Sequence, residues 1–353
     1  MRRIFVIIIT IVLAISCKNK AVKTEQEVKK EPVVEKKATI PVVETVFSSQ
    51  DIRPCNIAMD TQKNVYVSIN PLTPSNTKVF KLNIDGANTG EPYPNDDLVT
   101  GKESHIKAII GIKTDSKGNL WMLDMANKQF LVWNTGNNAL EKTLKIPADV
   151  TIETSFLQDF VIDEKHNRVI IADMTQGDLK SAPLPAFIVI NIETGEAKRM
   201  AQGHQSMLPE IEGGFALNPI AIDPSYNYIY FGALNGRTIY RVPTQSFESD
   251  AQLRQTIEKF GEKSFSDGIA VDANENVYVT NIEKNEIGIF NKENGFKTLA
   301  KLPENQSWPD GLHVANDGYL YGTVDQLNRT AALNNGKDES TGPYLVVRTK
   351  LSK

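Results

Sequence analysis

Cysteine is almost missing from this chain: its 353 residues hold only Cys17 and Cys55. No disulfide framework is available, so an apolar core of ordinary size must hold the fold. Basic excess is missing too. A formal net charge of −4, with both signs well mixed after the N-terminus, leaves no cationic face to displace counterions from phosphate, and nucleic acid is not expected as a partner. Helical periodicity is nearly absent, and only "DAQLRQTIEKFGE" (250–262) reads as a short helix. Catalytic signatures are sparse as well. No G-x-S-x-G elbow serves a serine hydrolase, and His105, His166, His204 and His313 show no paired spacing for a histidine-rich metal site.

The one long apolar run lies at the start. "MRRIFVIIITIVLAISC" has two arginines, an apolar stretch broken only by Thr10, then Ser16 and Cys17. It is too short for a comfortable membrane span and has the layout of a secretory signal, residues 1–16. A Cys directly after the small residue looks like a bacterial lipobox, with Ala14 where leucine is usual. Lipidation at Cys17 would anchor the protein to the cell envelope, facing the periplasm or the exterior. Residues 17–40 are rich in Lys and Glu and free of aromatics, a composition that cannot offset its ordering entropy; a disordered tether is expected there. The folded body is expected to span 41–353.

That body repeats itself. "NVYV" at 64, "NLWM" at 119, "RVII" at 168, "YIYF" at 228, "NVYV" at 276 and "YLYG" at 319 recur 43 to 60 residues apart. Each follows a short apolar run and a turn cluster: "IAMD", "GIKTD", "FVID", "IAID", "IAVD", "LHVA". Most precede a third alternating segment such as "FLVWN" or "EIGIFN". Period-two alternation bounded by Gly, Asn and Asp is strand language. Six copies of a three-to-four-strand unit predict an all-β, six-bladed β-propeller. The last copy, ending in "GPYLVVRTKL", is one strand short; "PVVETVFSS" (41–49) is expected to supply it and close the ring.

The first strand of each blade lines the central channel. Counting back nine or ten residues from the aligned segments gives Cys55, Ile110, Gln158, Asn218, Asp267 and Asp310 at one mouth. Two of these begin an Asp-Gly pair, which serves equally as a turn element. Asn218, Asp267 and Asp310 would also converge on one axis, where buried carboxylates are costly without a cation; an oxygen-only set of this kind suits Ca²⁺ better than Zn²⁺. A polar, water-filled funnel is the other reading. Trp308, just before Pro309-Asp310, places a ring where an aromatic ligand could stack, while Cys55 reads as a small buried apolar residue and His313 as a packed strand residue. The longest insertion, 196–217 with Glu210 and Glu212, is the expected lid.

"IGIKTDSKGNLWMLDMANKQFLVWN", "SFLQDFVIDEKHNRVIIADM", "NPIAIDPSYNYIYFGALNGRTIYRVP", "SDGIAVDANENVYVTNIEKNEI" and "WPDGLHVANDGYLYGTVDQLNR", taken in order, resemble the major royal jelly protein/yellow family in its bacterial branch. The resemblance runs from about Arg53 to Lys350 and implies a six-bladed propeller, an extracytoplasmic location and a central ligand pocket. Among relatives it implies pigment chemistry of the dopachrome-conversion type for some, and binding of small aromatic amines for others. More distantly, the chain is similar to the gluconolactonase/regucalcin propellers. Their metal-binding Asn and Asp fall on Asn218 and Asp267, but their Glu falls on Cys55 or Asn56, so lactonase activity is in doubt unless Asp310 supplies the charge.

Three functions follow as expectations. One is a lipid-anchored, monomeric binder of a small organic molecule, with Gln158, Asn218, Asp267, Trp308 and Asp310 at the channel. Another is a metal-dependent lactonase or tautomerase of the same architecture. The third is a protein-interaction scaffold.

Overall fold

A computed structural model of the chain describes residues 40–100 and 105–351; the leader, Cys17 and the tether through residue 39 lie outside these. The described residues form six four-stranded antiparallel sheets, all β with short helical turns. The six inner strands are Ile57–Met59, Ile109–Thr114, Leu157–Asp163, Leu217–Ile222, Ile269–Val271 and Pro309–Val314. Blades 1 to 5 run in chain order from inner to outer strand. Blade 6 takes three strands from the C-terminal end and its outermost, Glu44–Ser49, from the other end. That strand pairs antiparallel with Tyr344–Lys350, with a register shift between Thr45 and Phe47. Phe47 is buried, and Arg348 grips Glu44 through Nε at 2.9 Å and Nη2 at 2.8 Å. The predicted closure is therefore observed.

The repeated Asp–aromatic spacing has a local cause. Asp60 accepts from the backbone N–H groups of Gln62 and Asn64, and its other oxygen takes the Tyr66 hydroxyl at 2.9 Å. Asp115 does the same with Lys117, Asn119 and the Trp121 indole, and Asp272 with Asn274, Asn276 and Tyr278. A carboxylate thus stitches the first hairpin of a blade shut and fixes an aromatic on the second strand.

Packing is between blades rather than within them. Apolar clusters fill the spaces between blades 1 and 2, 2 and 3, 3 and 4, 4 and 5, 5 and 6, and 6 and 1. Since a sheet buries a face only against its neighbour, the ring leaves no blade with two open faces.

One expected element changes. The helix predicted over 250–262 spans only Asp250–Thr256, capped by the Ser249 side chain; Glu258–Glu262 is the outer strand of blade 4. Pairing with Thr238–Pro243 overrides the helical propensity, and Gly261 is needed because a Cβ there would lie 2.4 Å from the Phe290 ring of blade 5.

Candidate functional site

The inner-strand starts do converge. Asn56, Ile110, Gln158, Asn218, Asp267 and Asp310 line one narrow waist of the channel, around a cavity of about 10 Å³. Cys55 lies behind this wall, its Sγ 3.2 Å from Asp310 Oδ2.

The glycines after the aspartates serve blade contact. A Cβ on Gly268 would stand 1.8 Å from the Asp310 carbonyl oxygen, and one on Gly311 would stand 2.8 Å from Asn56 Cα. Blade 5 therefore lies backbone-to-backbone against blade 6, and blade 6 against blade 1. The N–H groups of Gly268 and Gly311 donate to the Thr280 and Thr323 hydroxyls of their own second strands, at 3.0 and 2.8 Å. With the glycine committed to packing, the preceding aspartate side chain is left for the channel.

Asp267 sits at the centre. Its Oδ1 accepts from Asn218 Nδ2 and its Oδ2 from Trp308 Nε1, both at 2.7 Å. Burial raises its pKa, and these two donors pull it back. Trp308 holds a left-handed backbone (φ 58°), a costly conformation for so bulky a residue. Its indole points an N–H at Asp267, a role the sequence did not disclose, beside any stacking role.

Asp310 turns the other way, toward Cys55 and Asp325. One ligating atom from each of these three buried residues lies within 4.8 Å of the others. Burial pushes Asp310 well above the carboxylate range, helped by the charges of Asp267 and Asp325. Asp325 is pushed up to about 7 by burial, with Arg53 opposing. Burial and the same carboxylates push the Cys55 thiol up, so it stays protonated. Arg53 itself is spent on the backbone carbonyls of Asp325 and Gln326 and lies over the Tyr344 ring. On the opposite side of the waist, Lys113 pairs with Asp159 at 2.9 Å.

The two mouths differ. Above the waist, Leu72, Phe156, Met174, Leu179, Phe215, Leu234, Leu327 and Leu333 close a mostly apolar vestibule over Asn70, Gln158, Asn218, Asp267 and Trp308. It encloses about 30 Å³ in this conformation. Gln158 Oε1 is buried with no hydrogen-bond partner among the described residues. Below the waist the channel widens to about 410 Å³ between apolar inner-strand residues, with His313 on its wall. Although larger, that cavity has a rim of carboxylates (Asp60, Asp115, Asp223) already spent on their own hairpins.

The insertion 196–217 contributes Phe215 to the vestibule. Its Glu210 instead accepts from the Arg237 N–H, Met207 is buried in the core, and Gln176 clamps Gly214 and Ala216. The segment carrying Leu327 and Leu333 also lines the mouth and was not foreseen, because nothing in its pattern marks it.

The model of the major royal jelly protein family matches residues 107–352. No curated protein matches the chain in sequence. Among solved structures, a gluconolactonase from Xanthomonas campestris superposes with a TM-score of 0.58 at 12% identity, over 87% of this chain and 88% of that one. A calcium-binding regucalcin from Agrobacterium tumefaciens gives 0.57 at 12% identity over 89% and 98%, and a luciferin-regenerating enzyme 0.61 at 12% over 88% and 96%. At these identities the likeness is one of fold.

Proposed function

Because the chain belongs to the major royal jelly protein family, we propose that it is a binding propeller whose vestibule takes a small, largely apolar molecule carrying a hydrogen-bond donor. The observation that carries this reading is Gln158 Oε1: a buried acceptor without a donor, at the floor of an apolar mouth, beside the Asp267 carboxyl. An orphaned buried acceptor costs about 1–3 kcal/mol, which a ligand hydroxyl or amine N–H would recover. Aromatic amines and phenols fit the demand for a flat apolar body and one donor. Entry requires Leu327 and Leu333 to move, since the closed space holds little more than a water.

The calcium reading draws on Asn218, Asp267 and Asp310. Both Asp267 oxygens already take N–H donors, and neither Cys55 nor Asn56 is a carboxylate. The set falls short of the six to eight oxygens that Ca²⁺ takes, and the function proposed here does not pass through a cation. Export, anchoring at Cys17 and a monomeric state complete the proposal; mass spectrometry of the membrane fraction, searching for a diacylated Cys17, tests the anchor.

The decisive experiment is calorimetric titration of the full chain with a panel of aromatic amines and phenols. Saturable binding that Asp267→Ala weakens at least tenfold supports the reading. No binding across the panel, or turnover of a lactone or quinone that requires a divalent ion, would replace it.

A further inference from the structure

The repeat itself shows what is unusual about Asp325. Blades 2 and 3 end their second strand in Asp, at Asp124 and Asp173, whereas that of blade 6 ends at Val324, and Asp325 follows it at the place of Met125 and Met174. Asp124 accepts from the N–H groups of Lys107 and Ala108, just before its own inner strand. Asp173 accepts from the N–H groups of Phe156 and Thr175 and pairs with Arg199 at 2.6 Å. In those blades the carboxylate ties the second strand to the chain entering the first. In blade 6 the equivalent residue is Val324, so that tie is missing, and the Trp308 N–H goes to Asn285 Oδ1 instead. Asp325 takes only the Leu327 N–H on Oδ1, and its Oδ2 is fully buried with no hydrogen-bond partner among the described residues. Around it stand Asp310 and the Cys55 thiol.

Two carboxyls and a thiol therefore meet with too few donors. The thiol supplies one hydrogen, to Asp310 Oδ2. Arg53, the nearest guanidinium, is occupied by backbone carbonyls, Ser340 and Tyr344. A buried anionic group without pairing is among the costliest features a core can carry.

We propose that Cys55, Asp310 and Asp325 form a metal site for a borderline-soft dication of the Zn²⁺ class, which staples blade 6 to blade 1 at the junction that closes the ring. The donor chemistry decides the ion: a thiolate beside two carboxylates suits Zn²⁺, whereas Ca²⁺ takes oxygen alone. The set is distinct from Asn218 and Asp267, whose side chains bond to one another. Binding displaces the thiol proton and any proton carried by the carboxyls, released to solvent, and leaves three anionic ligands on one dication with a fourth position for water. Since Cys55 belongs to blade 1 and the two aspartates to blade 6, the ion would tie residues 255 apart in the chain across the same seam that the first strand closes from outside.

The test uses the purified full chain, stripped with chelator and titrated with Co²⁺ as a spectroscopic stand-in and with Zn²⁺ by calorimetry. The expected result is one equivalent per chain, a thiolate-to-cobalt charge-transfer band that Zn²⁺ displaces, and loss of that band in Cys55→Ser. Asp325→Asn, nearly isosteric, should keep the native circular dichroism and lose stoichiometric uptake, which covers the case in which Cys55→Ser fails to fold. Uptake without a thiolate band, a band retained in Cys55→Ser and lost in Cys17→Ser, or no stoichiometric uptake at all would overturn the proposal. The last result would assign the cluster to shared protons.

Discussion

Gly268→Ala should be the most damaging single-methyl addition in the inner ring. The new Cβ would stand 1.8 Å from the Asp310 carbonyl oxygen, short of ordinary van der Waals contact by about 1.6 Å. The obstructing atom is backbone, so no side-chain rotation relieves the clash. Either blade 5 or blade 6 must retreat, loosening the Gly268–Thr280 bond and the apolar layer between the blades. Overpacking in cores costs about 1–3 kcal/mol where side chains can adjust, and the upper end or more is expected here. At a few degrees per kcal/mol, that lowers the melting temperature by roughly 6 °C or more. Gly311→Ala, whose Cβ would meet Asn56 Cα at 2.8 Å, should lose less. Gly136→Ala is the control, since its nearest neighbour is the Asn134 side chain at 3.3 Å. Thermal and urea unfolding followed by circular dichroism give the ranking. If Gly268→Ala unfolds with Gly136→Ala, the argument that blade contact dictates the glycine fails.

Three further outcomes are expected. Trp308→Phe removes the donor to the buried Asp267 Oδ2 and should cost about 1–3 kcal/mol in urea unfolding; a change no larger than that of an exposed-site control would show that the bond contributes nothing. Phe47→Ala, in the strand that closes the ring, should cost about 3–5 kcal/mol, with protease cutting near residue 50 as an early sign, and an unchanged cutting pattern would count against closure by this strand. His313, partly buried on the channel wall, is held down to about 4 from an ordinary 6.5 by desolvation there and by Lys113. The unfolded chain therefore binds the proton first, so stability should fall as pH drops from 6.5 toward 4, and His313→Gln should flatten that slope in urea midpoints.

The blades were legible because their signals are local. An Asp, a few turn residues and the start of the next strand write the first hairpin within about ten residues, with an aromatic two positions in at five of the six blades, so counting back from the aligned segments reached Gln158, Asn218, Asp267 and Asp310. What those side chains touch was not legible. Trp308 meets Asp267 from 41 residues away, and Cys55 meets Asp310 from 255. Such pairs belong to contacts between blades, and no period in the sequence marks them. The split of the polar set, with Asn218 facing Asp267 and Asp310 facing Cys55, is of this kind. Asp325 carried a faint signal, since it puts a carboxylate where blades 2 and 3 have Met125 and Met174; that its Oδ2 lacks a donor is visible only in the structure. The helix over 250–262 was misjudged because its second half answers to a neighbouring strand.

The seam in blade 6 also sets the order in which the molecule can be made. Glu44 and Arg348 are partners 304 residues apart, so Glu44–Ser49 must wait until Tyr344–Lys350 has been synthesised. Blades 1 to 5 can each pair within themselves as they emerge, from contacts of short sequence separation. Blade 6 bears the largest loop-closure entropy and is expected to be the last blade to pair. Until then Glu44–Ser49 is an open edge able to recruit strands from other chains. The alternation that lets this strand close the ring is therefore also what makes the nascent chain prone to mispairing until Tyr344–Lys350 is released.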